Sequence, residues 1–423
     1  MRRRILVVTF AYLPSTAVGA LRWSLMAKYL ERLDYQITVL TSSAYGHAPG
    51  EDLERVVRTT DFGSMEALRR VLRRPSVRAE NEAVAVDTPA PRLLTSVVVP
   101  DAKALSWAPF ALAAAIRTVR GRGVDCVITT SPPDSAHLVG LLLRRLGPAW
   151  VADFRDGWAF EPTRRPFPTR LQRALDLRME AAVVRGADAC VAVTEGLVAD
   201  LRKRLGGNAT FVPNAWDPEM RGAAHDVQPP DATSSNDAPT LVYTGRLSFD
   251  RDRGPRSKSF LHAFARLAST RDAPPLQLVI AGRPSRSELE FLDALDCPAI
   301  THIGAIPRLG ALRLQRTATA LLVIGSASSA ATAKVYEYLG ADRPILHVGG
   351  TSAISRILDE TGRGVTVPFE DTDAIIRELR RIANGEFGTE LAPRSIERYS
   401  YPFVAERMAE VIEEATRRRA TRR

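Results

Sequence analysis

The feature that most constrains this chain is an alternation of strand-like and helical patterns that runs, lapses and starts again. Short apolar runs at Ile5–Phe10, Gln36–Leu40, Cys126–Thr130, Trp150–Phe154, Ala189–Val193 and Thr210–Val212 read as strands. Helical stretches lie between them, at Leu21–Leu33, Phe110–Arg120, Ser135–Leu146, Pro168–Arg185 and Glu195–Leu205. Such alternation implies a mostly parallel sheet covered on both faces. Over Ala223–Pro239 (AAHDVQPPDATSSNDAP) the periodicity is lost, and Pro, Asp and Ser mark a linker or surface loop. The pattern resumes with Thr240–Tyr243, a helix from about Ser257 to Ala268, Leu276–Ala281, a helix from Ser287, Ile300–Ile303, and a helix over Arg308–Arg316. Ala320–Ile324, a helix over Ala331–Gly340 and Pro344–Val348 follow, and an amphipathic helix over Tyr401–Thr416 comes last. At 423 residues the chain exceeds one ordinary core, so two doubly wound α/β domains joined near residue 220 are expected.

Composition narrows the function classes. Hydrophobic residues at 45% and charged residues at 25% exclude global disorder. The start, MRRR followed by ILVVTFAYLP, superficially resembles a signal peptide, but the apolar stretch is short and leads straight into an amphipathic segment. A buried first strand and a cytoplasmic location are therefore expected. Ala108–Ile116 is the best membrane candidate and falls far short of the run of about 18 apolar residues that spanning needs. The formal charge of +10 is arginine excess, since lysine occurs only at 28, 103, 203, 258 and 334. The clusters Arg69–Arg78 and Arg417–Arg423 read either as a solvated face and a frayed tail, or as peripheral contact with an anionic membrane or phosphate-bearing substrates. Nucleic acid is not an expected partner, because aromatic residues do not interleave with these clusters. Cys126, Cys190 and Cys297 lack metal-ligand or redox spacing and read as buried thiols.

In open parallel sheets ligands bind beyond the carboxyl ends of strands. That rule selects the loops Ala11–Ala20, Arg155–Pro162, Gly245–Lys258 and Gly325–Lys334. No suitable GxGxxG fingerprint is present, which removes the main support for a dinucleotide dehydrogenase. In the first loop Gly19 either allows close approach of a substrate at a helix start or serves simply as a turn residue. The third packs Arg246, Arg251, Arg253, Arg256 and Lys258 into 13 residues, enough cations to neutralise a diphosphate without a metal, or a solvated loop paired with Asp250 and Asp252. In the fourth, small residues from Ser326 to Thr332 leave backbone N–H groups open to an anion. Lys334 and Glu337 follow on one helix face. The spacing alone fits a surface ion pair as well as a phosphate and ribose site.

The chain resembles bacterial glycosyltransferase family 4 over nearly all of residues 4–415. The ordered motifs are LPSTAVGALRW, VPDAKALSW, SPPDSAHL, VADFRDGW, ADACVAVTEG, FVPNAWD, VYTGR, LVIAGR, HIGAIP and AKVYEYLGADRPIL. The resemblance implies a GT-B fold, two Rossmann-like doubly wound domains facing each other across a cleft, with the C-terminal helix packing back on the N-domain. It implies an acceptor domain at 1–216, a linker at 217–239, a nucleotide-sugar domain at 240–395, and a crossing helix with a basic tail at 396–423.

The family's site roles carry over residue by residue. Glu337 matches the ribose-binding second glutamate, and Lys334 the lysine of a K-x-x-E-Y-L variant near the diphosphate. Arg246 matches the basic residue after the first strand of the second domain. The backbone near Ile306 matches the segment touching the base. Asp156, preceded by Arg155, takes the position that often carries a histidine facing the donor sugar, and Gly19 matches the N-terminal loop glycine. Thr332 belongs to the donor loop. Two positions depart from the family: the motif's first glutamate is Ser329 here, and its lysine shortly after Arg246 is absent, leaving Arg251 or Arg253 for that work. The resemblance implies a retaining transfer from a nucleoside-diphosphate sugar, a co-substrate rather than a cofactor, with no metal. The acceptor would be a small molecule or a lipid-linked intermediate. A sugar-nucleotide epimerase and a non-catalytic nucleotide-sugar-binding protein are the competing expectations.

Overall fold

The computed structural model describes residues 2–62, 98–164, 166–228, 238–249, 253–326 and 331–422. The chain divides into two compact units, Met1–Pro213 with Tyr401–Arg423, and Asn214–Ser400.

In the first unit the apolar runs fold as strands β1 (Arg3–Val8), β2 (Tyr35–Ser42), β3 (Val56–Thr59), β4 (Cys126–Ser131), β5 (Ala149–Phe154), β6 (Ala189–Ala192) and β7 (Ala209–Phe211). The helices between them are α1 (Val18–Arg32), α2 (Ala108–Arg122), α3 (Ser135–Leu143), α4 (Arg170–Gly186) and α5 (Glu195–Leu205). The sheet is parallel throughout, in the order β3-β2-β1-β4-β5-β6-β7. Alternation along the strands divides the core. Leu6, Val8 and Val127 pack with Trp107 and the alanines of α2, while Trp150, Ala152 and Phe154 pack with Val183, Leu197 and Leu201. Burial is complete along β4 and β5, which is why neither shows an apolar and polar alternation, and it takes in Thr129, Thr130 and Asp153 as well. Cys126 and Cys190 are buried, and burial pushes both thiols up, whereas Cys297 is partly exposed.

The second unit opens with a difference from expectation. Pro218–Ala223, within the stretch read as linker, forms a short helix, α6, capped by Asp217 Oδ1 accepting from Glu219 N at 2.9 Å with Pro218 in its first turn. The expected alternation follows as β8 (Thr240–Thr244), α7 (Gly254–Ala268), β9 (Gln277–Ala281), α8 (Arg286–Leu295), β10 (Ile300–His302), α9 (Arg308–Thr317), β11 (Ala320–Ile324), α10 (Ala333–Ala341) and β12 (Ile345–Val348). Three further elements continue it: α11 (Ala353–Thr361), β13 (Gly364–Val367) and α12 (Thr372–Ala383). The order β10-β9-β8-β11-β12-β13 reverses between β8 and β11, as the first sheet reverses between β1 and β4. Phe260, Phe264 and Ile375, Leu379 of α7 and α12 close one face of this sheet.

The last helix, α13 (Tyr401–Thr421), returns to the first unit and packs on α1 and β5. Glu413 accepts from Arg3 at 2.5 and 2.6 Å and from the Tyr35 hydroxyl at 3.0 Å. The tail is neither frayed nor bare. Helix continues five residues past Thr416, Arg419 donates to the carbonyls of Gly147 and Arg144, and Arg422 pairs with Asp188 at 3.2 Å. Arg419 and Arg422 are thus engaged within the first unit, whereas Arg417 is exposed. The other cluster, Arg69–Arg78, lies outside the described residues. Among the described residues no helix is long and apolar enough to cross a membrane.

Candidate functional site

The reversal point of the second sheet gathers most of the expected donor residues. Three glycines, one after each of β8, β9 and β10, leave its floor without side chains. Gly245 N donates to Ala281 O at 2.6 Å, and Gly282 N donates to Gly304 O at 2.8 Å. A Cβ on Gly282 would lie 2.4 Å from Gly245 O, and Gly245 itself sits at φ +114°. The motifs VYTGR, LVIAGR and HIGAIP are thus one surface, each supplying its glycine.

Lys334, in the first turn of α10, lies along this surface. Its Nζ donates to the Tyr243 hydroxyl at 2.8 Å, stands 4.0 Å from the centre of that ring, and would meet a Gly245 Cβ at 2.6 Å. Burial lowers the Lys334 pKa and the nearby Arg253 guanidinium lowers it further, against the opposing pull of Tyr243 and Glu337. Lys334 and Glu337 do not form the i,i+3 surface pair that spacing allowed. Glu337 pairs instead with Arg308 NH2 of α9 at 2.9 Å, both half-buried. The rest of the motif has structural duties. The Tyr338 hydroxyl accepts from Thr244 N at 2.9 Å, Gln315 donates to Thr244 Oγ1 at 3.0 Å, and Tyr336 packs on Tyr399. These contacts tie α9 and α10 to the end of β8. A narrow pocket beside them is lined by Trp216, Arg308, Gln315, Glu337 and Gly340.

The five cations of the Gly245–Lys258 loop separate. Arg256 and Lys258 lie on α7 with their charges over aromatic rings, Phe369 at 4.9 Å and Phe249 and Phe291 at 5.3 and 5.4 Å. Arg251 falls outside the described residues. Arg246 is exposed directly after β8, and no hydrogen bond or ion pair joins its guanidinium to another described residue. Arg253 precedes α7, and its buried Nε has no hydrogen-bond partner among the described residues. The loop carrying both is held by Glu288, a residue the sequence did not single out. Its carboxylate accepts from Ser248 N at 2.5 Å and closes the capping box of α8 with Ser285.

Thr332 precedes α10 but makes no side-chain cap, so the first-turn N–H groups of that helix are not satisfied by it. Ser329 lies outside the described residues. Ile306 is half-buried in the loop between β10 and α9, two residues before Arg308. His347, buried on β12, donates or accepts with Thr366 Oγ1 at 3.1 Å, and its Nε2 would lie 3.0 Å from a Cβ on Gly325; burial carries its pKa down to about 4.

In the first unit, the expected residues meet a denser polar network. Gly19 makes room for a side chain of the protein rather than for a substrate: a Cβ there would lie 1.5 Å from Arg155 NH1. The Arg155 Nε donates to Thr130 Oγ1 at 3.0 Å and Ser131 O at 2.8 Å, and its NH2 donates to Pro132 O at 2.7 Å. Burial lowers its pKa. Asp156 is half-buried beside it, and burial raises its carboxyl against the pull of Arg155. The shared motifs explain one another here. Asp153 of VADFRDGW, fully buried, accepts from Arg22 at 3.2 and 3.4 Å, Trp23 Nε1 at 2.9 Å and Thr130 Oγ1 at 3.0 Å, joining it to the GALRW segment. Asp101 of VPDAKALSW accepts from the backbone and hydroxyl of Ser135 in SPPDSAHL, at 2.9 and 2.8 Å. Arg164 bridges Asp134 and Asp176, each at 3.2 Å, and Trp158 donates to Asp176 at 2.8 Å.

Comparison with known proteins agrees with this architecture. Residues 19–215 match the family model described as a glycosyl transferase 4-like domain. No curated protein matches the chain in sequence. Among solved structures, the chain is similar to sucrose-phosphate synthase from Thermosynechococcus elongatus, with a TM-score of 0.63 at 15% identity, covering 98% of this chain and 99% of that one. It is similar to an α,α-trehalose-phosphate synthase (UDP-forming) from Burkholderia xenovorans in complex with glucose-6-phosphate, with a TM-score of 0.59 at 14% identity over 99% and 98%. UDP-GlcNAc 2-epimerase from Methanocaldococcus jannaschii gives 0.53 at 11% identity over 98% and 99%. The fold is GT-B.

Proposed function

We propose that this chain is a retaining glycosyltransferase of the family 4 type, moving a hexose from a nucleoside-diphosphate sugar to a hydroxyl or amine acceptor. The observation that carries the reading is the Lys334 ammonium, desolvated on a glycine floor at the β8/β11 reversal with a second cation, Arg253, close enough to depress its pKa. Two such cations repel unless an anion neutralises them, and a diphosphate supplies that charge. Arg246 adds a third cation from the same strand end. Glu337 binds the ribose hydroxyls once they displace Arg308, and the Ile306 backbone flanks the base. Thr332 and the open first turn of α10 reach the phosphates.

Chemically, the acceptor attacks C1 from the face that the diphosphate leaves, through an oxocarbenium-like transition state. The C1–O bond to phosphate breaks as the new C1–O or C1–N bond forms, and a leaving phosphate oxygen takes the acceptor's proton. Catalysis is then positioning plus stabilisation of the leaving diphosphate by Lys334, Arg246 and Arg253, a task for which a metal is not required. Asp156 and Arg155 of the first unit serve the sugar side. The likeness to a UDP-forming synthase solved with glucose-6-phosphate supports a small-molecule acceptor.

The likeness to a UDP-GlcNAc 2-epimerase supports a second reading, in which the donor turns over with no acceptor. A thermal-shift screen of UDP, GDP, ADP and dTDP sugars, followed by product analysis with and without acceptor, separates the two. Stabilisation by one donor with acceptor-dependent release of the diphosphate, undiminished by chelator, supports the transferase. Turnover of the donor alone supports the epimerase, and no stabilisation by any donor overturns both.

A further inference from the structure

Two residues that line the same pocket of the second unit each hold a buried polar atom with no hydrogen-bond partner among the described residues, Nε of Arg308 and Oε1 of Gln315. One atom is a donor and the other an acceptor. Both residues lie on one face of α9, and α10 forms the facing wall with Glu337 and Gly340. Trp216 closes the pocket from the chain before α6. Gly340 makes that possible, since a Cβ there would lie 2.9 Å from the Trp216 Cβ. Thr244 decides which end of the Gln315 amide is left over: Nε2 donates to Thr244 Oγ1 at 3.0 Å, so Oε1 is the end without a partner. A buried acceptor without a donor is costly, so a donor is expected to reach it in some state of the protein.

In the structure the Arg308 guanidinium meets Glu337 through NH2 at 2.9 Å, and its Nε takes no part. The same carboxylate is the one assigned to the ribose hydroxyls, so ribose and Arg308 compete for it. We propose that Arg308 has a second position. When ribose takes Glu337, the guanidinium turns into the pocket and donates to Gln315 Oε1. There it shares the charge of Asp217 and lies against the Trp216 side chain, both of which line the pocket. The other arginines of the lining are engaged elsewhere. Arg316 donates to Arg221 O at 2.8 Å, and Arg221 stands over the Trp216 ring and 3.7 Å from Asp342. Arg308 is then an internal competitor of the nucleotide, and Gln315 is a positioning residue that sets how readily it yields. This rests on the ribose reading of Glu337 and adds to it a control of affinity that no ligand contact of Gln315 supplies.

The test is calorimetric titration of UDP, GDP, ADP and dTDP, and separately of inorganic pyrophosphate, into the parent, Arg308→Met, Gln315→Met and the double variant. Arg308→Met is expected to bind the preferred nucleotide about two- to fivefold tighter, the effect of removing a partly exposed ion pair. Pyrophosphate has no ribose and gains nothing. Gln315→Met is expected to bind the nucleotide about threefold weaker, whereas the same change made in Arg308→Met has no effect, because only Arg308 uses the second position. Gln315→Glu keeps an oxygen in place and is expected to bind as tightly as the parent or tighter. Unchanged or weaker nucleotide binding in Arg308→Met overturns the proposal. So does a Gln315→Met loss that persists in the double variant, which is packing damage. The ribose reading survives either result if Glu337→Ala weakens the nucleotide and leaves pyrophosphate unchanged, and a parent that binds none of the four nucleotides removes both.

Discussion

At the carboxyl end of the first sheet, the reversal strands β1 and β4 are closed over by side chains that satisfy one another. Arg22, Trp23 and Thr130 converge on Asp153, Arg155 lies against Gly19, and Arg164 joins two aspartates. At the corresponding end of the second sheet the strand order reverses in the same way, but glycines replace the side chains and the cations Lys334, Arg253 and Arg246 lack that degree of internal pairing. Equal topology therefore does not give equal internal pairing. On the proposed reading, the reversal point whose side chains leave charge to be neutralised takes the anion, and the other is scaffold.

The largest effect that sharpens this contrast belongs to the closed side. Removing the carboxylate in Asp153→Ala leaves the Arg22 guanidinium buried without its counter-charge, held by carbonyls such as Pro213 O at 2.6 Å and Val212 O at 2.9 Å. About 3–5 kcal/mol of stability should be lost in urea denaturation. Arg22→Met combined with Asp153→Leu should recover much of it. An Asp153→Ala variant as stable as the parent would make the network decorative.

On the open side the expected loss is catalytic instead. Lys334→Ala and Arg246→Ala should each lower kcat/KM by about 100- to 1000-fold, on the order of 2.7–4 kcal/mol of barrier, with melting temperature nearly unchanged. Near-parental rates in both variants would remove the diphosphate from this end of the sheet.

A smaller effect is pH-dependent and belongs to a buried histidine of the first unit. Burial carries His137 of the first unit down to about 3, with Thr129 Oγ1 at 2.8 Å on its Nδ1. The folded value lies below the unfolded one of about 6.5, so as pH falls below that value the unfolded chain takes a proton that the folded chain refuses. Stability should then fall by up to about 1.4 kcal/mol per pH unit. His137→Gln should flatten that slope between about pH 6 and pH 4, measured by urea denaturation at each pH; an identical slope would mean the histidine is not held neutral.

Much of this was legible in the sequence, and the exceptions share a cause. The two runs of alternating strands and helices are local signals, and Glu195–Leu205 and Ala320–Ile324 fold with the boundaries the pattern gives. The stretch after Val348 was not resolved into elements, although Thr372–Ala383 carries a clear apolar stripe; its neighbour β13 is four residues long and mostly half-buried, so it lacks a strand's usual apolar run. The site was harder, because its pairings cross between elements. Lys334 and Glu337 are neighbours by spacing, yet each turns to a partner far away in sequence, Tyr243 and Arg308. Gly19 likewise looks like space for a ligand until Arg155 is seen to fill it. Spacing along one helix shows which residues share a face, and only the fold shows what that face meets.

The most direct measurement is calorimetric titration of UDP, GDP, ADP and dTDP into three proteins: the parent, Lys334→Ala of the open reversal point, and Asp156→Ala of the closed one. Saturable binding of one nucleotide to the parent is expected, retained in Asp156→Ala and weakened by about tenfold or more, about 1.4 kcal/mol, in Lys334→Ala. Unchanged affinity in Lys334→Ala, or loss of binding in Asp156→Ala alone, would contradict the assignment of the nucleotide to the second unit.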